Sequence, residues 1–147
     1  MKHFGSKMEY SDERVADLMR TYDRHIAACA QIRMPDIYQA VVESPAKRFW
    51  VSDIRASVVV AAIMRGERKH LRMRPLKREM FMEIYRRVLE LRELHPDWTT
   101  TELCAEVVAQ PAPRFYLSAG SAKLIICKAR KKWREEKLKR LRLYGCL

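Results

Sequence analysis

Apolar residues recur at helical spacing along most of the chain. Val15, Leu18, Met19, Tyr22, Ile26 and Cys29 share one helix face, and Met80, Ile84, Val88 and Leu91 share another within a predicted helix over 76–94. Ile54, Val58, Ala61 and Ala62 mark a helix from 53 to about 68. Ala122, Ile125, Ile126, Ala129 and Trp133 mark a helix that starts after Ser118. Shorter helices are predicted over 36–43 and from Thr100 through Ala109, with Pro35 closing the segment before the first of them. Start signals support these positions. Ser11 is a candidate N-cap with Arg14 where an acid would complete a capping box, Ser52 and Ser118 precede their helices directly, and the stretch 97–102 is rich in capping residues. On its pattern the last helix could run past Lys139. Beyond Trp133, however, the sequence turns strongly basic, and fraying or an extended tail is expected there.

Few residues interrupt these patterns. Four glycines and six prolines in 147 residues favour long helices over many short strands. The expected fold is all-α: an internally duplicated bundle of about six helices.

The duplication appears when the chain is compared with itself at an offset of 66 residues. Seven of the twelve positions in 41–52 are identical to those in 107–118, including Pro45/Pro111, Ala46/Ala112, Arg48/Arg114, Phe49/Phe115 and Ser52/Ser118. Trp50/Tyr116 and Val51/Leu117 are close replacements, and Ala56/Ala122, Ile37/Leu103 and Arg20/Arg86 follow the same offset. Agreement of this density, with Phe and Pro among the matches, indicates an internal repeat. The expected units are 1–66 and 67–147, the second ending in a basic helix or tail, each with three helices.

Within each unit, a short helix, a connection and a Ser-capped helix resemble the helix-turn-helix of bacterial and phage DNA-binding proteins. The resemblance covers 36–64 and 102–131. It rests on small residues in the first helix (Ala40, Ala105), a hydrophobic-Ser pair before the second (Val51-Ser52, Leu117-Ser118), and a small residue four positions on (Ala56, Ala122). The connection is longer than the usual tight turn and lacks its glycine. The resemblance implies two tandem units whose second helices enter the major groove.

Charge points the same way. Lys and Arg number 30 against 18 Asp and Glu, a formal net of +12. The excess is uneven: 1–64 holds nine basic and eight acidic residues, while 65–147 holds twenty-one and ten. A positive field concentrated in this way attracts polyanions. Two basic runs lie at matching places, 65–78 with seven Lys or Arg and one Glu, and 130–142 with eight and two. Phosphate clamping beside a groove-reading helix is one use for such runs, and a solvated helix face is the plainer alternative. The candidate contact residues in the second unit are Ser121, Lys123, Lys128, Arg130, Lys131, Lys132 and Arg134. Those in the first are Arg55 and Ser57, with Arg65, Arg68, Lys69, Arg72 and Arg74 behind them. Asp53, in the first turn, would repel phosphate, which makes the first unit the poorer reader and suggests a structural or dimerising role for it.

Arg48-Phe49-Trp50 and Arg114-Phe115-Tyr116 admit two readings: a platform for unpaired bases, or a wedge in the core with Arg capping carbonyls or pairing with an acid. The second is favoured, because aromatic pairs after proline commonly anchor a connection.

No catalytic constellation is present. Gly120-Ser121-Ala122-Lys123 lacks the second glycine and the Lys-Ser/Thr pair of a P-loop. His3, His25, His70 and His95 are scattered, and the only candidate nucleophile of a recombinase, Tyr144, has no supporting residues. Cys29, Cys104, Cys127 and Cys146 have neither zinc-ligand spacing nor a disulfide framework, and the first three fall in helical patterns where a thiol acts as a small hydrophobe. No metal, cofactor or enzymatic activity is expected. The polar segment 1–14 lacks the apolar core of a secretory signal, and the longest apolar stretch, 58–64, is too short for a membrane span. The expectation is a cytoplasmic, nucleoid-associated DNA-binding protein, a regulator or accessory factor of a bacterium or mobile element. RNA or ribosome association and a phage-type adaptor that assembles with a protein partner or as a homodimer are the alternatives.

Overall fold

The computed structural model describes residues 10–145, and among them the chain forms six α-helices. These are α1 Ser11–Ala28, α2 Met34–Glu43, α3 Asp53–Met64, α4 Pro75–Leu94, α5 Thr100–Val108 and α6 Ala119–Leu143, with a 3-10 turn at Lys69–Arg72 between α3 and α4. His3 and Cys146 lie outside the described residues. No helix among the described residues is long and apolar enough to cross a membrane.

The capping signals account for most boundaries. The Ser52 and Ser118 hydroxyls accept the backbone N–H of Arg55 and Ser121, each at 3.1 Å. Thr99 and Glu102 form a reciprocal capping box at the start of α5. Three predicted boundaries shift. Ser11 is the first helical residue and not the N-cap, which is Tyr10 without a side-chain bond; Asp12 and Glu13 complement the helix dipole instead. Pro35 sits inside the first turn of α2, where its missing N–H costs nothing, so the helix starts before Asp36. α3 stops at Met64 and not near Arg68. Gly66 takes a left-handed conformation (φ 80°), and the N–H groups of Gly66 and Glu67 fold back on the carbonyls of Ile63 and Ala62.

The repeat governs the packing, and the two copies exchange helices. α1 packs on α2 and α6, while α4 packs on α5 and α3; α3 also packs on α5, and α6 on α2. Each three-helix cluster therefore takes its last helix from the other copy. The duplicated connections make the crossing. Ala46 and Ala112 form an antiparallel bridge, each N–H donating to the other's carbonyl at 3.0 and 3.1 Å. The Phe49 N–H donates to Val108 O and the Phe115 N–H to Val42 O, both at 3.1 Å. Every one of these bonds has its counterpart 66 residues away, so the motif lies on a local two-fold axis. The order short helix, connection, helix is kept in both copies, but the extended connection carries the second helix onto the opposite copy.

The core follows the same symmetry. Leu18/Ile84, Ile37/Leu103, Val41/Val107, Val42/Val108, Phe49/Phe115, Ala56/Ala122 and Val60/Ile126 are buried in both members. Among the described thiols Cys104 alone is buried, and desolvation pushes it up to about 11; Cys29 and Cys127 are exposed, contrary to the expectation that they fill the core.

An acid on the first helix of each copy holds the neighbouring connection. Buried Asp17 accepts the Lys47 backbone N–H at 2.8 Å and Trp50 Nε1 at 3.0 Å. Its counterpart Glu83 pairs with Arg86 at 2.6 Å and Arg87 at 3.0 Å, and Arg87 donates onward to the Pro111 carbonyl at 3.0 Å. Hydrogen bonding from Arg86 is the main cause that holds the Glu83 carboxyl below its ordinary value, with Arg87 assisting against partial burial. The folded carboxyl thus stays charged to lower pH than the unfolded one. The stability this adds is complete above the ordinary carboxylate range and is lost as pH falls through the folded-state value. Thermal melts from neutral to acid pH should show a shallower acid loss in Glu83→Gln than in wild type. Identical acid slopes would remove Glu83 from the account.

Candidate nucleic-acid interface

The cationic residues divide between two different structures. The run 130–142 continues α6 as helix through Leu143, so the expected fraying does not occur. With 1.5 Å per residue the whole helix is about 37 Å long. Its first turns are seated by Ala122 and Ile126 on α1 and α2. From 131 to 140 every side chain is exposed, so the distal half projects from the bundle. Arg140 and Arg142 in the last turn complement the negative end of the helix dipole, which favours continuation of the helix.

The run 65–78 is no second rod. Arg65 caps α3, Lys69 and Arg72 lie in the 3-10 turn, and Arg74 precedes α4. Part of its charge is compensated, since Glu67 pairs with Arg65 at 3.3 Å and Lys69 at 3.7 Å. Arg68, Lys69, Arg72 and Arg74 are exposed.

On α6 the candidates sort by face. Lys128 and Lys131 fall opposite the seating line of Ala122 and Ile126, as do Lys139 and Arg142 further along. Lys123, Lys132 and Arg134 flank them. Among the described residues none of the cations from Lys123 to Arg142 makes an ion pair, and Glu135 and Glu136 pair with nothing. Two candidates are engaged locally. Arg130 donates to the Tyr22 hydroxyl at 3.3 Å and lies over that ring, and Ser121 bonds the Ser118 hydroxyl at 2.9 Å in the cap. Ser57 is likewise engaged, 3.1 Å from Thr101 across the α3–α5 contact. Arg55 is exposed and lies on α3, apart in sequence from the α6 group.

Lys137, Lys139, Arg140 and Arg142 belong with the same rod. They are absent from the candidates chosen on sequence because the tail was expected to fray; unbroken helix formers through Leu143 were the available signal. The seating line itself continues outward through Trp133, Lys137, Arg140, Leu141 and Tyr144, which line a shallow depression of about 210 Å³. Trp133 is 60% exposed, with the Lys137 ammonium 5.1 Å from its ring centre.

The aromatic motifs lie elsewhere. Phe49 and Phe115 are buried, and Trp50 and Tyr116 are half-buried. Arg48 donates to the carbonyls of Phe49 and Val51 at 3.1 and 3.3 Å, while Arg114 lies 3.8 Å from Glu79. One arginine caps carbonyls and the other pairs with an acid, so the motif builds the crossing between copies. Tyr116 adopts a left-handed backbone (φ 57°), a strained state that its stacking on Phe49 helps hold.

These features define a class: an all-helical, internally duplicated bundle with exchanged third helices and one projecting cationic helix. No protein-family model, no curated protein and no solved structure matches the chain. Among the described residues, no group of three His, Cys, Asp or Glu could hold a metal ion.

Proposed function

We propose that this is a nucleic-acid-binding protein that grips duplex DNA along α6, and that it works as a binding protein and not as an enzyme. The observation that supports this reading is the projecting rod, where eight Lys and Arg between 130 and 142 meet two acids and no ion pair. Exposed cations without ion partners attract phosphates, and releasing counterions from DNA supplies the affinity. Lys128, Lys131 and Lys132 are exposed where a groove or backbone could be met, while the first-copy residues Arg55 and Ser57 take a minor part. Arg65, Arg68, Lys69, Arg72 and Arg74 add a second, weaker electrostatic footprint.

A second reading, single-stranded or structured RNA, draws support from Trp133. Its exposed ring among cations is suited to stacking on an unpaired base. A competition shift assay at two salt concentrations, with duplex DNA, single-stranded DNA and structured RNA of equal length, decides between them. Duplex preference is expected, with log K falling against log salt at a slope of about −5 to −7 if six to eight cations each meet a phosphate. Salt-insensitive binding, or none, would defeat both readings.

A further inference from the structure

The outward side of α6 carries an apolar feature that phosphate clamping does not explain. Leu124 lies opposite the seating residues Ala122 and Ile126 on the helix and is 73% exposed. Its neighbours on the helix surface, three and four positions away, are Gly120, Ser121, Cys127 and Lys128. Three of these are small. Gly120 has open space where a side chain would stand. The Ser121 hydroxyl is held in the cap, 2.9 Å from that of Ser118, and the Cys127 thiol lies 3.8 Å from the Tyr38 hydroxyl of α2. The leucine therefore rises from a low surface.

Charge selects what that surface meets. From 119 to 134, α6 holds six Lys and Arg and no acid, and Glu135 is the first carboxylate along it. None of the six makes an ion pair among the described residues. Uncompensated positive charge drawn out over about 24 Å of helix fits an extended polyanion. The matching line on α3, Ile54, Val58 and Ala61, is apolar too, but Ser57 and Ala62 stand where α6 has Lys123 and Lys128. Nothing borders that line to draw an anionic surface to it. A lipid surface is a poor match for α6, because an interfacial helix needs a broad apolar face and a single leucine beside a cysteine offers little.

We propose that Leu124 is a base-reading residue: α6 enters the major groove of duplex DNA, and Leu124 packs on thymine C5-methyl groups while Lys128 and Lys131 meet phosphates. This rests on α6 being the duplex grip and adds the class of duplex, one bearing thymine at the contact. The groove is about 12 Å wide, close to the width of a helix with its side chains, so the outward side of α6 can reach the base edges. Thymine alone among the four bases presents a methyl group there. Leucine neither donates nor accepts a hydrogen bond, so covering the polar edge of a G·C pair would desolvate groups it cannot satisfy.

The test compares two A·T-rich duplexes of one sequence that differ only in carrying thymine or uracil, so that the methyl groups are the variable. The full chain should bind the thymine duplex more tightly, by about fourfold for each methyl contacted. Leu124→Ala should bring the two affinities together and leave the salt slope unchanged. Its melting should not move, because Leu124 is exposed. Lys128→Ala should weaken both duplexes alike, and Val58→Ala on α3 should affect neither. Equal affinity of wild type for the two duplexes, or a preference that survives Leu124→Ala, would overturn the proposal while the phosphate grip of α6 stands. Binding to neither duplex would overturn both. Leu124-dependent binding to phosphatidylglycerol vesicles, with no thymine preference, would assign the leucine to lipid instead.

Discussion

Replacing Phe49 with alanine is expected to destabilise the chain by roughly 3–5 kcal/mol, measured by urea or thermal unfolding. The side chain is fully buried where the two copies cross. Its ring stacks on Tyr116 with centroids 6.1 Å apart, and the Arg87 guanidinium lies over the same ring, 4.9 Å from its centre. Truncation removes the transfer energy of the ring and leaves a cavity that backbone bonds on both sides prevent from collapsing. A whole domain is typically stable by only about 5–15 kcal/mol, so the loss is a large share of the total. Phe115→Ala should be of similar size, since Phe115 is buried at the matching place across the local two-fold, although it lacks the arginine that lies over Phe49. A change under about 1 kcal/mol in both variants, with loss of single-strand binding, would return the aromatics to a stacking role.

Lys128→Ala, Lys131→Ala and Lys132→Ala combined should lower duplex affinity on the order of a hundredfold at moderate salt, and should reduce the salt slope by about three. The direction follows from exposure: the three side chains are exposed on α6 and have no ion partner among the described residues. Melting should be unchanged for the same reason. Arg130 is best left in place, because it contacts Tyr22 and its loss would mix packing with binding. Arg55→Ala provides the comparison from the first copy and should have much the smaller effect. Equal effects from the triple variant and Arg55→Ala would take away the preference for α6.

The helices themselves were legible because their information is local. Apolar spacing places α1, α4 and the core of α6, and serine caps place the starts of α3 and α6, since each depends on residues within a few positions. The duplication was legible for a related reason: two copies of one motif can be compared without knowing where either lies. The end of α3 was misplaced because the apolar pattern persists to Met64 and polar helix formers follow. Gly66 overrides them through its backbone conformation. The basic tail was misjudged in the opposite sense, because strong helix formers and cations near the C-terminal dipole outweigh mutual repulsion.

The amino-acid order alone determined that the protein is helical, duplicated and charged toward its second half, because composition, periodicity and self-similarity are properties of the chain as written. Only the tertiary structure decided which helix meets which. A connection of given length can return its helix to the same copy or send it to the other, and the choice rests on the Ala46–Ala112 bridge and on two phenylalanines buried across the axis. It also decided the fate of the two basic runs, which look alike as text. One folds into a compact turn beside Glu67, and the other continues α6 as a helix whose residues 131–140 are all exposed.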